Sequence, residues 1–229
     1  ALPIYFDYAY PQPDGELPFS VTTDITACPW SKQHRLVRIG LKGREVTRET
    51  RPDANLVFLL DVSGSMNSFD KLPLVKQAMN RLVQQLRERD RVAIVVYAGA
   101  AGQVLPSTSG AQSARITGAL ANLQAGGSTA GGAGIKLAYK TARQHFIEGG
   151  INRVILCTDG DFNVGVSNKG DLERLIEKQA KSKVYLTILG FGRGNFRDDK
   201  MEALSNKGNG NYAYIDSQKE AEKVLVDQI

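Results

Sequence analysis

Four nearly continuous apolar runs, at residues 55–60, 92–97, 154–157 and 184–189 and broken only by Asn55 and Thr187, constrain this chain most. Each is strand-length, and each lacks the polar alternation of a strand wetted on one side. Such runs are expected of strands buried on both faces. Between them the apolar spacing changes to that of helices. Leu72, Val75, Met79, Leu82, Val83 and Leu86 line one face of a helix of about four turns, with Asp70 as its expected N-cap and Pro73 in its first turn. Ile116, Leu120 and Leu123 predict a short helix, Ile135, Ala138, Ala142 and Phe146 a longer one, and Leu172, Leu175 and Ile176 another. A short strand at 212–215 leads to a last helix, opened by the capping-box spacing of Ser217 and Glu220. Strand–helix alternation of this kind predicts an α/β fold: a doubly wound, mostly parallel central sheet with helices on both faces.

Residues 1–52 differ in style. They hold six of the eight prolines and two alternating segments, 19–25 and 35–41, that read as strands. The expected organisation is a strand-bearing N-terminal extension over 1–52, packing on a main domain over 53–229. The 42% hydrophobic and 23% charged fractions belong to a folded globular chain rather than a disordered or fibrous one. The longest nearly apolar run, 92–102, falls short of the ~20 residues a spanning helix needs. No signal-peptide pattern is visible. The chain starts at Ala1 rather than Met, so targeting information removed by processing would leave no trace. Cys28 and Cys157 match no metal spacing, and Cys157 reads as a buried free thiol. A net charge of +5, spread along the chain, is a weak nucleic-acid signal. The cluster Arg81, Arg87, Arg89 and Arg91 reads as a solvated helix face near a helix end.

Open α/β sheets bind ligands beyond the carboxyl ends of their strands. There the sequence places Asp61-Val-Ser63-Gly-Ser65 after one buried strand and Thr158-Asp159-Gly-Asp161 after another. A glycine-rich turn containing Thr129 lies between them. Two carboxylates and three hydroxyls make an all-oxygen set suited to a hard divalent cation such as Mg²⁺, which favours an octahedral shell and keeps waters. Two carboxylates roughly neutralise such an ion and leave it open to one more anionic oxygen from outside the protein.

Other chemistries lack their residues. A haloacid-dehalogenase-type phosphatase wants an acidic residue where Ser63 stands, and no Gly-Lys pair exists for a phosphate loop. Gly190 and Gly192 begin a dinucleotide fingerprint that Asn195 breaks. Neither His34 nor His145 follows a core strand, and no G-x-S-x-G elbow is present. Asp159, Asp161 and Asn163 mimic the first ligands of an EF-hand loop, but Val164 and Gly170 occupy its glycine and glutamate positions. Asp161 and Asn163 read instead as loop residues bracing the metal ligands.

Asp61-x-Ser63-x-Ser65, Thr129 and Asp159 resemble the metal-ion-dependent adhesion site, or MIDAS motif, of von Willebrand factor A domains. The resemblance covers about residues 53–229 and extends to segments 188–192 and 210–214. Segments 18–24 and 36–44 resemble the N-terminal extension of a bacterial branch whose members carry a further C-terminal domain. The resemblance implies a Rossmann-like fold, with Ser63, Ser65 and Thr129 touching the metal through hydroxyls and Asp61 and Asp159 holding it directly or through water. The expected cofactor is Mg²⁺, with Mn²⁺ or Ca²⁺ as alternatives. The expected partner is a protein offering a Glu or Asp carboxylate, with no nucleic acid and no membrane insertion by this segment. The resemblance further implies an interaction domain rather than an enzyme, in the bacterial cell envelope, periplasmic or surface-anchored. The alternative is a scaffold domain whose metal only braces loops and whose partner binding survives chelation.

Overall fold

The computed structural model describes residues 9–45, 49–127, 131–160, 169–192 and 198–227 of the chain. The chain divides into two compact units, Ala1–Arg51 and Pro52–Ile229. In the first, strands β1 (Phe19–Ala27) and β2 (Arg35–Gly43) form a two-stranded antiparallel ribbon. Directly opposed residues share a face, so Val21 with Leu41 and Ile25 with Val37 gather on one side. On the other side Asp24 pairs with Arg38 through an ion pair of 2.6 Å.

The second unit is a six-stranded sheet. Its strands are β3 (Ala54–Asp61), β4 (Arg91–Tyr97), β5 (Ala101–Ser109), β6 (Ile151–Thr158), β7 (Tyr185–Phe191) and β8 (Tyr212–Ile215). Their order is β5-β4-β3-β6-β7-β8, with all neighbours parallel except β4 and β5. The helices are α1 (Leu72–Gln85), α2 (Ser113–Ala121), α3 (Gly131–Gln144), α4 (Lys169–Lys181), α5 (Asp198–Lys207) and α6 (Gln218–Glu222). They cover both faces, as the alternating sequence pattern predicts. Among the described residues no helix is long and apolar enough to cross a membrane.

The core explains the continuous apolar runs. Along β3, Leu56, Phe58 and Leu60 point to a cluster with Val75, Met79 and Leu82 of α1 and Ile116 and Leu120 of α2. The intervening Val57 and Leu59 point the other way, to Ile135 and Ala138 of α3 and Ile176 of α4. Side chains alternate across a strand, so a strand packed on both faces must be apolar at every position. Burying each such side chain contributes about 1.5–3 kcal/mol.

The amino ends of the strands carry buried polar ties of their own. The buried Asp90 carboxylate accepts the Ala54 N–H at 2.9 Å and the Arg87 N–H at 2.6 Å. Arg87 donates in turn to the Pro52 carbonyl and to Asp53, both at 2.9 Å. Arg91 donates to Ser107 at 2.8 Å. The expected solvated arginine face is therefore corrected. α1 ends at Gln85, Arg87 and Arg91 tie strands and turns together, and Arg81 and Arg89 remain exposed. The expected N-cap is corrected too. Lys71 occupies the cap position of α1 without a side-chain cap bond, while Asp70 accepts from Ser68 Oγ. At the far end, Ser217 Oγ accepts the Glu220 N–H as its spacing predicts.

Candidate metal centre

The direction of strand connection reverses at β3. β4 lies on one side of it and β6 on the other, both parallel to it. A crevice opens outside the carboxyl ends at such a switch point. Asp61 is the last residue of β3. The register pairs it with Tyr97 of β4, and the β3–β6 pairing runs to Leu60 and Cys157, so Thr158 and Asp159 leave β6 beside it.

Asp61 is fully buried. One carboxylate oxygen accepts the Ser63 N–H at 2.8 Å, and the other accepts the hydroxyls of Tyr97 at 3.0 Å and Thr158 at 3.4 Å. Burial raises the pKa of its carboxyl above the ordinary value. The bonds from Ser63 and Tyr97 oppose that rise, and the charge of Asp159 adds to it. The Tyr97 hydroxyl is pushed well up by its own burial and by Asp61. Burial thus disfavours a bare charge on this carboxylate, which either a proton or a nearby cation relieves.

After Asp61 the chain turns so that Ser63 Oγ and Ser65 Oγ lie 3.0 Å apart. Ser63 is buried and Ser65 exposed, so the pair runs from the interior to the surface. Two backbone bonds fasten this turn to the glycine-rich segment: Gly64 N–H to the Gly127 carbonyl at 3.1 Å and Gly126 N–H to the Val62 carbonyl at 2.7 Å. Gly127 has φ +83°, which suits glycine. Thr129 lies outside the described residues, as do Asp161 and Asn163. Asp159 is nearly buried and receives a bond of 2.8 Å from the Lys71 ammonium, which also donates to the Ser65 carbonyl at 2.9 Å.

The structure therefore brings Asp61, Ser63 and Ser65 together, with Asp159 on the neighbouring strand end. Among the described residues no three His, Cys, Asp or Glu side chains gather as a metal-holding group. A cation here would rest on two carboxylates completed by hydroxyls and water, a set that suits Mg²⁺ better than softer ions. The residues present fit such an ion.

A model of the von Willebrand factor type A domain matches residues 55–228. The chain belongs to the von Willebrand factor type A family. A second model, described as von Willebrand factor, matches residues 2–38. The chain is 45% identical over 209 residues to the uncharacterized protein YfbK of Escherichia coli, covering 91% of this chain and 36% of that protein. It thus spans about a third of the length of this relative. The fold is shared with an aerotolerance-related membrane protein from Bacteroides fragilis (TM-score 0.60, 24% identity, 76% of this chain and 98% of that one). It is shared also with proximal thread matrix protein 1 of the mussel byssus, solved with a zinc-occupied MIDAS motif (TM-score 0.58, 24% identity, 77% and 45% coverage). Domains of this family often mediate protein interactions through a metal-dependent site.

Two residues that matter to the site, Tyr97 and Lys71, escape the motif reading, and so does the bond that Thr158 of the Thr-Asp-Gly segment gives Asp61. The contacts of Tyr97 and Thr158 are set by register, which a linear sequence does not display. Lys71 does leave a sequence signal. A cation beside a helix N-terminus opposes the helix dipole, so a lysine immediately before Leu72 calls for another purpose.

Proposed function

We propose that this chain is a metal-dependent protein-binding domain, not a catalyst, in which Asp61, Ser63, Ser65, Thr129 and Asp159 hold Mg²⁺, with Mn²⁺ or Ca²⁺ as alternatives. Residues 53–229 form that domain and residues 1–52 its extension. A bound cation supplies an open electrophilic position for a Glu or Asp carboxylate of a partner protein. The observation that carries the reading is the convergence of a desolvated Asp61 carboxylate with the Ser63 and Ser65 hydroxyls at the switch point. Asp61 anchors the site through bonds from Ser63, Tyr97 and Thr158 that fix its orientation. The exposed Ser65 opens it to solvent, and four residues on Phe69 is 80% exposed, an apolar contact for whatever brings the carboxylate. A likeness to a membrane protein of Bacteroides, together with the bacterial relative, supports a cell-envelope location.

Panning a random peptide library on the immobilised chain in Mg²⁺ tests this. The expected outcome is enrichment of peptides with an essential Asp or Glu, released by EDTA and not captured by the Asp61→Asn protein. Capture that is indifferent to EDTA and to acidic residues contradicts it. The second reading, a scaffold whose metal only braces loops, predicts that result. It draws on the backbone bonds that already fasten the Asp61–Ser65 turn to Gly126 and Gly127.

A further inference from the structure

Lys71 holds a costly position and is seated with care. Its backbone opens α1, where a positive charge opposes the dipole, and its side chain folds away towards the site. The ammonium spans both sides of the crevice, donating to the Ser65 carbonyl at 2.9 Å and to Asp159 Oδ2 at 2.8 Å. The Lys71 side chain is 22% exposed and that of Asp159 5%, so the pair is more shielded than a surface ion pair. Gly192 provides the seat for the stem. A Cβ there would stand 2.8 Å from Lys71 Cε and 3.0 Å from Cγ, and its φ of +101° also suits glycine. Tyr214 Oη donates to the Gly192 carbonyl from behind, fixing that seat.

Charge counting gives this arrangement a consequence. Asp61, Asp159 and Lys71 together carry −1. A divalent cation takes the group to +1, and one carboxylate from a ligand returns it to zero. Without Lys71 the same steps run from −2 to zero to −1, so the ligand's carboxylate arrives at a group whose charge is already balanced. We propose that Lys71 is a specificity-determining residue that couples the two events: it weakens binding of the cation alone and strengthens binding of an acidic ligand to the cation-loaded site. This rests on the metal-dependent reading given above, and it adds the selection of an anionic over a neutral ligand.

The test uses the full chain, with free Mn²⁺ read by electron paramagnetic resonance and acetate as the carboxylate probe against chloride at equal ionic strength. In the parent protein acetate should tighten Mn²⁺ binding. Lys71→Met and Lys71→Gln should bind Mn²⁺ alone about tenfold tighter, a modest share of what unit charges a few ångströms apart exchange near a protein surface. The acetate effect should shrink in both and return in Lys71→Arg. Unchanged or weaker Mn²⁺ binding in folded Lys71→Met and Lys71→Gln overturns this inference and leaves the metal site standing. A parent protein that binds no Mn²⁺, or binds it as well with Asp61→Asn, overturns both.

Discussion

Asp61 is ionisable, buried and ringed by donors, and these facts pull stability in opposite directions. Its bonds from Ser63 and Tyr97 orient it, but burial raises its carboxyl pKa. A carboxyl held more firmly protonated in the fold than in the unfolded chain favours folding at low pH, and loses that advantage as pH rises through its raised value. Ionising Asp61 in the metal-free protein therefore costs stability. Asparagine keeps an oxygen for the Ser63 N–H and removes the charge. In chelator near pH 7, Asp61→Asn should melt at or above the parent temperature, with the gain fading as pH falls into the ordinary carboxylate range. Adding Mg²⁺ should raise the melting temperature of the parent alone, by linkage worth about 2.7 kcal/mol at a hundred times Kd. A variant that melts well below the parent in chelator, or gains equally from Mg²⁺, contradicts this account of Asp61. The motif itself was legible because its residues sit where buried strands end, and strand ends show in the hydrophobic pattern. Lys71 was less legible, since its partner Asp159 lies 88 positions away and only the fold joins them.

Elements differ in how plainly they write themselves. β3 and β6 stand out because both faces of their middle residues, 56–60 and 154–157, are packed, and those positions had to be apolar. β5 did not stand out. It is an edge strand with irregular burial, register shifts against β4, and Pro106 within it, a residue that edges tolerate. α5 escaped for a related reason: within Asp198–Lys207 only Met201 and Leu204 are buried apolar side chains, too few to reveal a helical period. The cap of α1 misled because Asp70 has the right chemistry one residue too early, and it bonds Ser68 instead. The turn from α5 into β8 depends on a close approach. At Gly210 a Cβ would lie 1.8 Å from the Leu186 carbonyl oxygen, and the Gly210 N–H is held by the Ser205 carbonyl at 3.0 Å. Gly210→Ala should therefore destabilise by about 3 kcal/mol, the upper range for overpacking, in urea unfolding. A loss below about 0.5 kcal/mol, the scale of an ordinary surface change, would show that this turn is looser than its contacts imply.

The whole chain combines a ribbon and a sheet domain of unequal means. A two-stranded ribbon is marginal by itself in water, and β1 and β2 leave Val21, Ile25, Ile39 and Leu41 exposed. The second unit has a core on each face of its sheet and buried ties at both strand ends. Residues 52–229 alone should therefore unfold in one cooperative transition, while a peptide of residues 9–45 should show no stable strand signal by circular dichroism. A folded peptide, or a molten 52–229 fragment, would reverse that division. At this scale the sheet separates its buried structural ties from the candidate site. The amino ends of its strands are locked by Asn55, Asp90 and Asn152, whereas the carboxyl ends gather Asp61, Ser63, Ser65 and Asp159. Whether that second end is a working metal centre is tested most directly by calorimetric titration of Mn²⁺ into chelator-stripped protein beside Asp61→Asn. The account predicts saturable binding at one site in the parent and none in the variant. Equal binding in both, or none in the parent at millimolar metal, would contradict it.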